Sequence, residues 1–136
     1  MPNGYPRQLK TLGDHIRARR LTLQLFQEDV AKIIGVSTAT VTLWENNQGT
    51  PFTRYIPKII EFLGYVPFDM DLSSYATKTK TLRLLYGATQ KKLGKILGVN
   101  ESSIQAWESE ENKPSKKMQK KIDHAVASAK KKSIYS

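Results

Sequence analysis

The chain has 136 residues, with 22 Lys and Arg against 12 Asp and Glu, for a formal net charge of +10. That length suits one compact domain or two small ones, and an apolar content of 39% is enough to bury a core. There is no cysteine, the two histidines (His15 and His124) stand alone, and no apolar run approaches the roughly 18–20 residues of a membrane span. Disulfide scaffolds, thiolate zinc sites, His-cluster metal centres and membrane spans are thereby excluded, and no cofactor or small-molecule ligand is expected. The opening segment MPNGYPRQLK lacks the apolar stretch of a signal peptide, so the expected location is cytoplasmic. The charge is uneven: residues 1–72 carry eight basic and seven acidic groups, residues 73–136 fourteen and five. A basic field on one side points to a polyanionic partner.

Taken in chain order, Leu12, Ile16, Arg20 and Leu23 recur at helical spacing and predict a first helix. Gln27 to Ile34 predict a second, with Val30, Ile33 and Ile34 facing inward and Gly35 as its stop. Ser37 is a suitable N-cap for a third helix running to about Asn46. RYIPKIIEFLG predicts an amphipathic fourth, ended by Gly64, and residues 65–76 (YVPFDMDLSSYA) read as a linker. Beyond it the pattern returns. Residues 90–114, shifted by 63, align without a gap on residues 27–51 with eight identities in twenty-five positions. Gly35-Val36 falls on Gly98-Val99, Trp44-Glu45 on Trp107-Glu108, Pro51 on Pro114, and upstream Arg20-Leu21 on Arg83-Leu84. This is an internal duplication. In the second copy Thr89 and Asn100 are placed to cap the second and third helices. Ser115 starts a last helix whose Met118, Ile122, Ala125, Val126 and Ala129 form an apolar stripe. The expected organisation is a first domain at 1–64, a linker at 65–76 and a second domain at 77–136, all-α.

A helical wheel sorts the third helix of each copy. Val41 and Trp44, like Ile104 and Trp107, point inward. The opposite face holds Thr38, Ala39, Thr42, Leu43 and Asn46 in the first copy, and Glu101, Ser102, Gln105, Ala106 and Ser109 in the second. Faces this small and polar suit a helix entering the major groove of B-DNA. Gln105 can address adenine, Glu101 can accept from a cytosine amino group, and Thr38, Ala39 or Thr42 can touch a thymine methyl. Gln27 and Gln90 open the second helices, where exposed amides and the helix dipole favour a phosphate. Lys113, Lys116, Lys117, Lys120 and Lys121 follow the second reading helix, and Lys130–Lys132 lie near the end of the chain. The lysines nearest the reading helix are expected to meet the phosphate backbone.

Two short helices joined by a Gly-containing turn, the second opened by a small polar residue, are the sequence form of a helix-turn-helix. On Arg20, Gln27, Val30, Gly35-Val36, Val41, Trp44-Glu45 and Pro51, and on their counterparts, both copies resemble the phage-repressor and Cro-type helix-turn-helix family. The resemblance covers roughly residues 9–64 and 77–127. It implies two tandem repressor-like helical bundles that bind double-stranded DNA, with Gln27 and Gln90 as phosphate clamps and Asn46 and Ser109 as further backbone contacts. It also implies salt bridges Arg20–Glu45 and Arg83–Glu108 tying the first helix to the reading helix, and so a structural role for these four, as for Trp44 and Trp107. The sequence departs from the family at Phe26, where a Ser or Thr cap is usual. Phe26 is expected either to pack inward or to be an exposed apolar contact. Glu110 and Glu111 place negative charge where phosphates are expected.

The function these features predict is sequence-specific DNA binding by a transcriptional regulator, not an enzyme: no triad, carboxylate pair, phosphate-cradling glycine loop or metal spacing appears. The alternative is an antitoxin- or phage-type interaction protein in which one copy reads DNA and the other binds a protein partner, suggested by Phe26, Leu43 and the aromatics Tyr65, Phe68 and Tyr75. The partners expected are double-stranded DNA and, besides it, a protein or a second copy of the chain.

Overall fold

A computed structural model describes the backbone of residues 4–135 and the side chains of residues 4–130. Among the described residues the chain is all-α and divides into two compact units, residues 1–67 and 68–136. The first unit contains α1 (Leu12–Thr22), α2 (Gln27–Ile34), α3 (Thr38–Glu45), a 3₁₀ turn (Thr53–Tyr55) and α4 (Ile56–Leu63). The second contains α5 (Tyr75–Tyr86), α6 (Gln90–Leu97), α7 (Glu101–Glu108) and α8 (Lys116–Tyr135). Helix α5 begins inside the segment read as linker. Ser74 caps it by accepting from the Thr77 amide, and Tyr75 packs on the core of the second unit.

The helix starts follow local chemistry. Thr11 and Asp14 form a reciprocal capping box at α1, and the hydroxyls of Ser37, Thr89 and Ser115 accept from the amides of Thr40, Lys92 and Met118. Asn100 holds the N-cap backbone geometry, but its side chain makes no capping bond. Its own carbonyl takes the Ser103 amide at 3.0 Å. Phe26 is not packed inward: it is 73% exposed, and the Asp29 carboxylate instead takes the Phe26 amide at 2.8 Å. Gly35 and Gly98 close α2 and α6 at φ +87 and +76, a backbone region that costs glycine nothing.

Each unit has one core. Ile16, Val30, Ile34, Val41, Trp44, Ile59 and Leu63 meet in the first, and Leu82, Leu93, Leu97, Ile104, Trp107, Ile122 and Val126 in the second. Two expectations fail at the edge of the first core. Leu23 is the exposed C-cap of α1 rather than part of its inner face. Ile33 is exposed, as is its counterpart Ile96. At about 100° per residue, Val30, Ala31 and Ile34 span one face, and Ile33 falls roughly 100° from its centre. In α8, Ile122 and Val126 are buried, Met118 and Ala125 pack beside them, and Ala129 is half-buried. Asp123 ties α8 to α5 by accepting from Lys78 Nζ and the Tyr75 hydroxyl, both at 2.8 Å. The Lys78 bond, then the Tyr75 bond, holds the Asp123 carboxyl below its ordinary value.

What seats the third helix is an ion pair. Arg20 Nε and Nη2 donate to the two carboxylate oxygens of Glu45 at 2.7 and 2.8 Å, and Nη1 donates to the Leu25 carbonyl at 3.1 Å. Arg83 grips Glu108 with the same fork, at 2.7 and 2.8 Å. Glu45 and Arg20 side chains are 1% and 14% exposed, Glu108 and Arg83 6% and 27%, so water reaches the second pair more freely. A second constraint operates only in the first unit. A Cβ on Gly13 would lie 1.8 Å from the Trp44 carbonyl oxygen, so α1 lies directly against the end of α3. The counterpart is Ala76.

Two outcomes follow. Arg20→Ala leaves a buried carboxylate without its cation and should destabilise the first unit by about 3–5 kcal/mol. Arg83→Ala should cost the second unit less. Hydrogen exchange resolved by peptide checks both, with lost protection confined to the unit that carries the substitution. Gly13→Ala cannot be accommodated without displacing α3, and should cost about 1–3 kcal/mol in urea unfolding.

Candidate nucleic-acid interface

With α3 held from behind by Arg20–Glu45, its other side is open. Thr38, Ala39, Leu43 and Asn46 are exposed and Thr42 is half-buried, while Val41 and Trp44 are buried in the core. The second unit repeats the arrangement: Glu101, Ser102, Gln105 and Ser109 are exposed, Ala106 is half-buried, and Ile104 and Trp107 are buried. The four residues expected to be structural partners in the ion pairs, and both tryptophans, are thus separated from the outward set in each unit.

The glutamines at the starts of α2 and α6 sit between these two layers. Gln27 Nε2 donates to Glu45 Oε1 at 3.2 Å, and Gln90 Nε2 to Glu108 Oε1 at 3.0 Å. Each glutamine therefore continues the Arg–Glu pair toward the helix N-terminus, and each amide nitrogen keeps a second hydrogen for an outside acceptor. In the first unit Gln27 Oε1 is also occupied: the Thr42 hydroxyl donates to it at 2.6 Å, with the Thr38 carbonyl at 3.1 Å. At the corresponding place in the second unit stands Gln105, whose side chain has no hydrogen bond among the described residues.

The end of α3 is fastened to the start of α1. Asn47, at φ +58, accepts from the Thr11 hydroxyl at 2.6 Å and donates from Nδ2 to Asp14 at 3.1 Å. Burial works against the Asp14 carboxylate, yet the bonds from Asn47 and from the Lys10 and Thr11 amides hold its pKa below the ordinary value. This clasp is therefore complete at neutral pH and is lost only as pH falls through that lowered value. Its counterpart in the second unit is Glu110, also left-handed at φ +66 and exposed. Glu111 beside it is exposed too.

The lysines are not equivalent. Lys113, Lys116, Lys117 and Lys120 are exposed. Lys121 is not available in the same way, because its Nζ donates to the Leu97 carbonyl at 2.6 Å, where the end of α6 attracts a cation. Of the terminal cluster, the side chains of Lys131 and Lys132 lie outside the described residues. One cation escaped the sequence reading. Arg54 is exposed on the 3₁₀ turn, its guanidinium 5.2 Å from the Phe52 ring centroid and 4.8 Å from that of Tyr55. The signal was present: carried past Pro51 and Pro114, the shift of 63 sets Arg54 on Lys117, Ile59 on Ile122 and Leu63 on Val126.

Among the described residues no cluster of His, Asp and Glu could hold a metal ion, and no helix is long and apolar enough to cross a membrane. A helix-turn-helix family model of the Cro/C1 type matches residues 16–70 and again residues 80–125. No curated protein and no solved structure gives a significant match. With the greater part of its length covered by two successive matches, the chain belongs to the Cro/C1-type helix-turn-helix family of DNA-binding transcription regulators, and carries that domain twice in tandem.

Proposed function

We propose that this chain regulates transcription by reading double-stranded DNA with both units, α3 and α7 each entering a major-groove segment. The observation that carries the reading is the duplicated frame. The same Arg–Glu–Gln constellation seats a short helix in each unit and leaves its opposite face free. On this reading Thr38, Ala39, Thr42 and Leu43, with Glu101, Ser102, Gln105 and Ala106, face the bases. Gln27 and Gln90 present their remaining amide hydrogens to phosphates. Asn46, Ser109, Lys113, Lys116 and Lys117 add backbone contacts, and Arg54 takes the part of Lys117 in the first unit. Two readers on one chain address two sites without the dimer that a single reader needs.

A second reading keeps α7 on DNA and gives the first unit to a protein partner. Phe26, Leu43 and Phe52 favour it, since all three are large, apolar and exposed in that unit. Paired alanine variants separate the two. Thr38→Ala with Leu43→Ala, and Ser102→Ala with Gln105→Ala, should each weaken sequence-specific binding if both units read. Loss from only the second set assigns the first unit to a protein.

Salt titration tests the shared premise. With about six phosphates neutralised, log K should fall against log salt with a slope of about −5, and Lys117→Ala should reduce the slope by about 1. A flat dependence on any duplex contradicts DNA binding.

A further inference from the structure

The two outward faces differ in what they have left to bond with. On α7, Glu101, Ser102 and Gln105 are exposed, and their side chains make no hydrogen bond among the described residues. All their donors and acceptors are available to base edges. On α3 the polar capacity is largely spent inside the protein. The single hydroxyl proton of Thr42 goes to Gln27 Oε1, and the Thr40 hydroxyl is paired with Ser37 Oγ at 2.9 Å. Gln27, which could otherwise turn toward a base, is held at both ends of its amide by Glu45 and Thr42. What remains outward is the Thr38 hydroxyl, the Ala39 methyl and Leu43, which is 46% exposed. Asn46 lies at the C-cap, beyond the last helical residue.

No residue among Thr38, Ala39, Thr42 and Leu43 can form the bidentate pairs by which Arg, Lys, Asn or Gln identify guanine or adenine. In the major groove an apolar side chain has one base feature to recognise, the C5 methyl of thymine. We infer that the first unit selects its site by packing Ala39 and Leu43 against pyrimidine C5 methyl groups, whereas the second selects by hydrogen bonds that Glu101 accepts and Gln105 donates and accepts. The inference rests on the proposal that the first unit reads DNA, and it names what that unit reads. It makes the duplication a division of chemistry: a methyl-reading copy joined to a hydrogen-bonding copy.

Replacing thymine by uracil removes the methyl and leaves the base pair and the O4 acceptor intact. The preferred duplex is first selected from a random pool with the full chain, and the half read by each unit is assigned from the footprints of Leu43→Ala and Gln105→Ala proteins. Deoxyuridine is then substituted for each thymidine in turn. The expected result is an affinity loss of about fourfold at one or two positions in the first unit's half, and none of that size in the second's. With Leu43→Ala the penalty at one of those positions should vanish, and 5-methylcytosine paired with guanine there should recover part of the affinity lost when cytosine replaces thymine. Leu43 is on the surface, and circular dichroism verifies that its variant is folded. Undiminished binding to every uracil duplex, with sequence preference in the first half retained, overturns the inference and leaves DNA reading by that unit standing. A selected site with preference only under the second unit overturns both, and assigns the apolar face of α3 to a protein.

Discussion

A carboxylate buried to 1% exposure is tolerable only where a cation and further donors meet it, and Glu45 has both. Removing such a group from water costs several kcal/mol, recovered only if the partner's geometry is close to ideal. The guanidinium fork of Arg20 meets that condition, with both oxygens of Glu45 engaged within 2.8 Å. Because Arg20 lies on α1 and Glu45 on the last turn of α3, the electrostatic requirement becomes a mechanical one: α3 has one seat and one outward face. Gln27 extends the pair to the start of α2, so the position of its amide and the position of α3 are set together. The second unit repeats the solution through Arg83, Glu108 and Gln90 with a wetter pair.

Much of this was legible because it rests on local rules. Glycines at positive φ stop α2 and α6, Ser37 and Thr89 cap the helices that follow them, and a shift of 63 residues aligns the copies. The outward faces of α3 and α7 follow from a wheel once Trp44 and Trp107 are set inward. What escaped depends on partners distant in sequence. Ile33 is exposed because the helices packed on α2 cover the side of Val30, Ala31 and Ile34, which the sequence of α2 alone does not decide. Lys121 resembles its neighbours in sequence, yet one turn of α8 brings it to the open carbonyl at the end of α6. Arg54 was hidden by reading the repeat only as far as its last identity. The engagement of Thr42 with Gln27 joins α3 to α2 across fifteen residues, so its hydroxyl is occupied only in the folded unit.

The charge asymmetry takes a new form once the units are bounded by packing. Residues 1–67 hold eight basic and five acidic groups, a balance of +3, and residues 68–136 hold fourteen and seven, a balance of +7. Both units are cationic, the second more so. Lys113, Lys116, Lys117 and Lys120 lie in the loop after α7 and on the first turns of α8, against which Glu110 and Glu111 set an opposing charge. In the first unit the corresponding ground holds Arg54 beside two aromatic rings and the neutral amides of Asn47 and Gln48. On the proposed function, non-specific attraction rests chiefly on the second unit, and the first adds shape and apolar contact.

On the proposed function, one buried frame, built twice, presents two DNA-reading helices on a single chain. Hydroxyl-radical footprinting of the full chain on its selected duplex tests it most directly, because phosphate-backbone protection is recorded for each unit separately. The expected result is two separate protected patches, one weakened by Gln27→Ala and the other by Gln90→Ala. A single patch that answers only to Gln90, at every protein concentration, would contradict it.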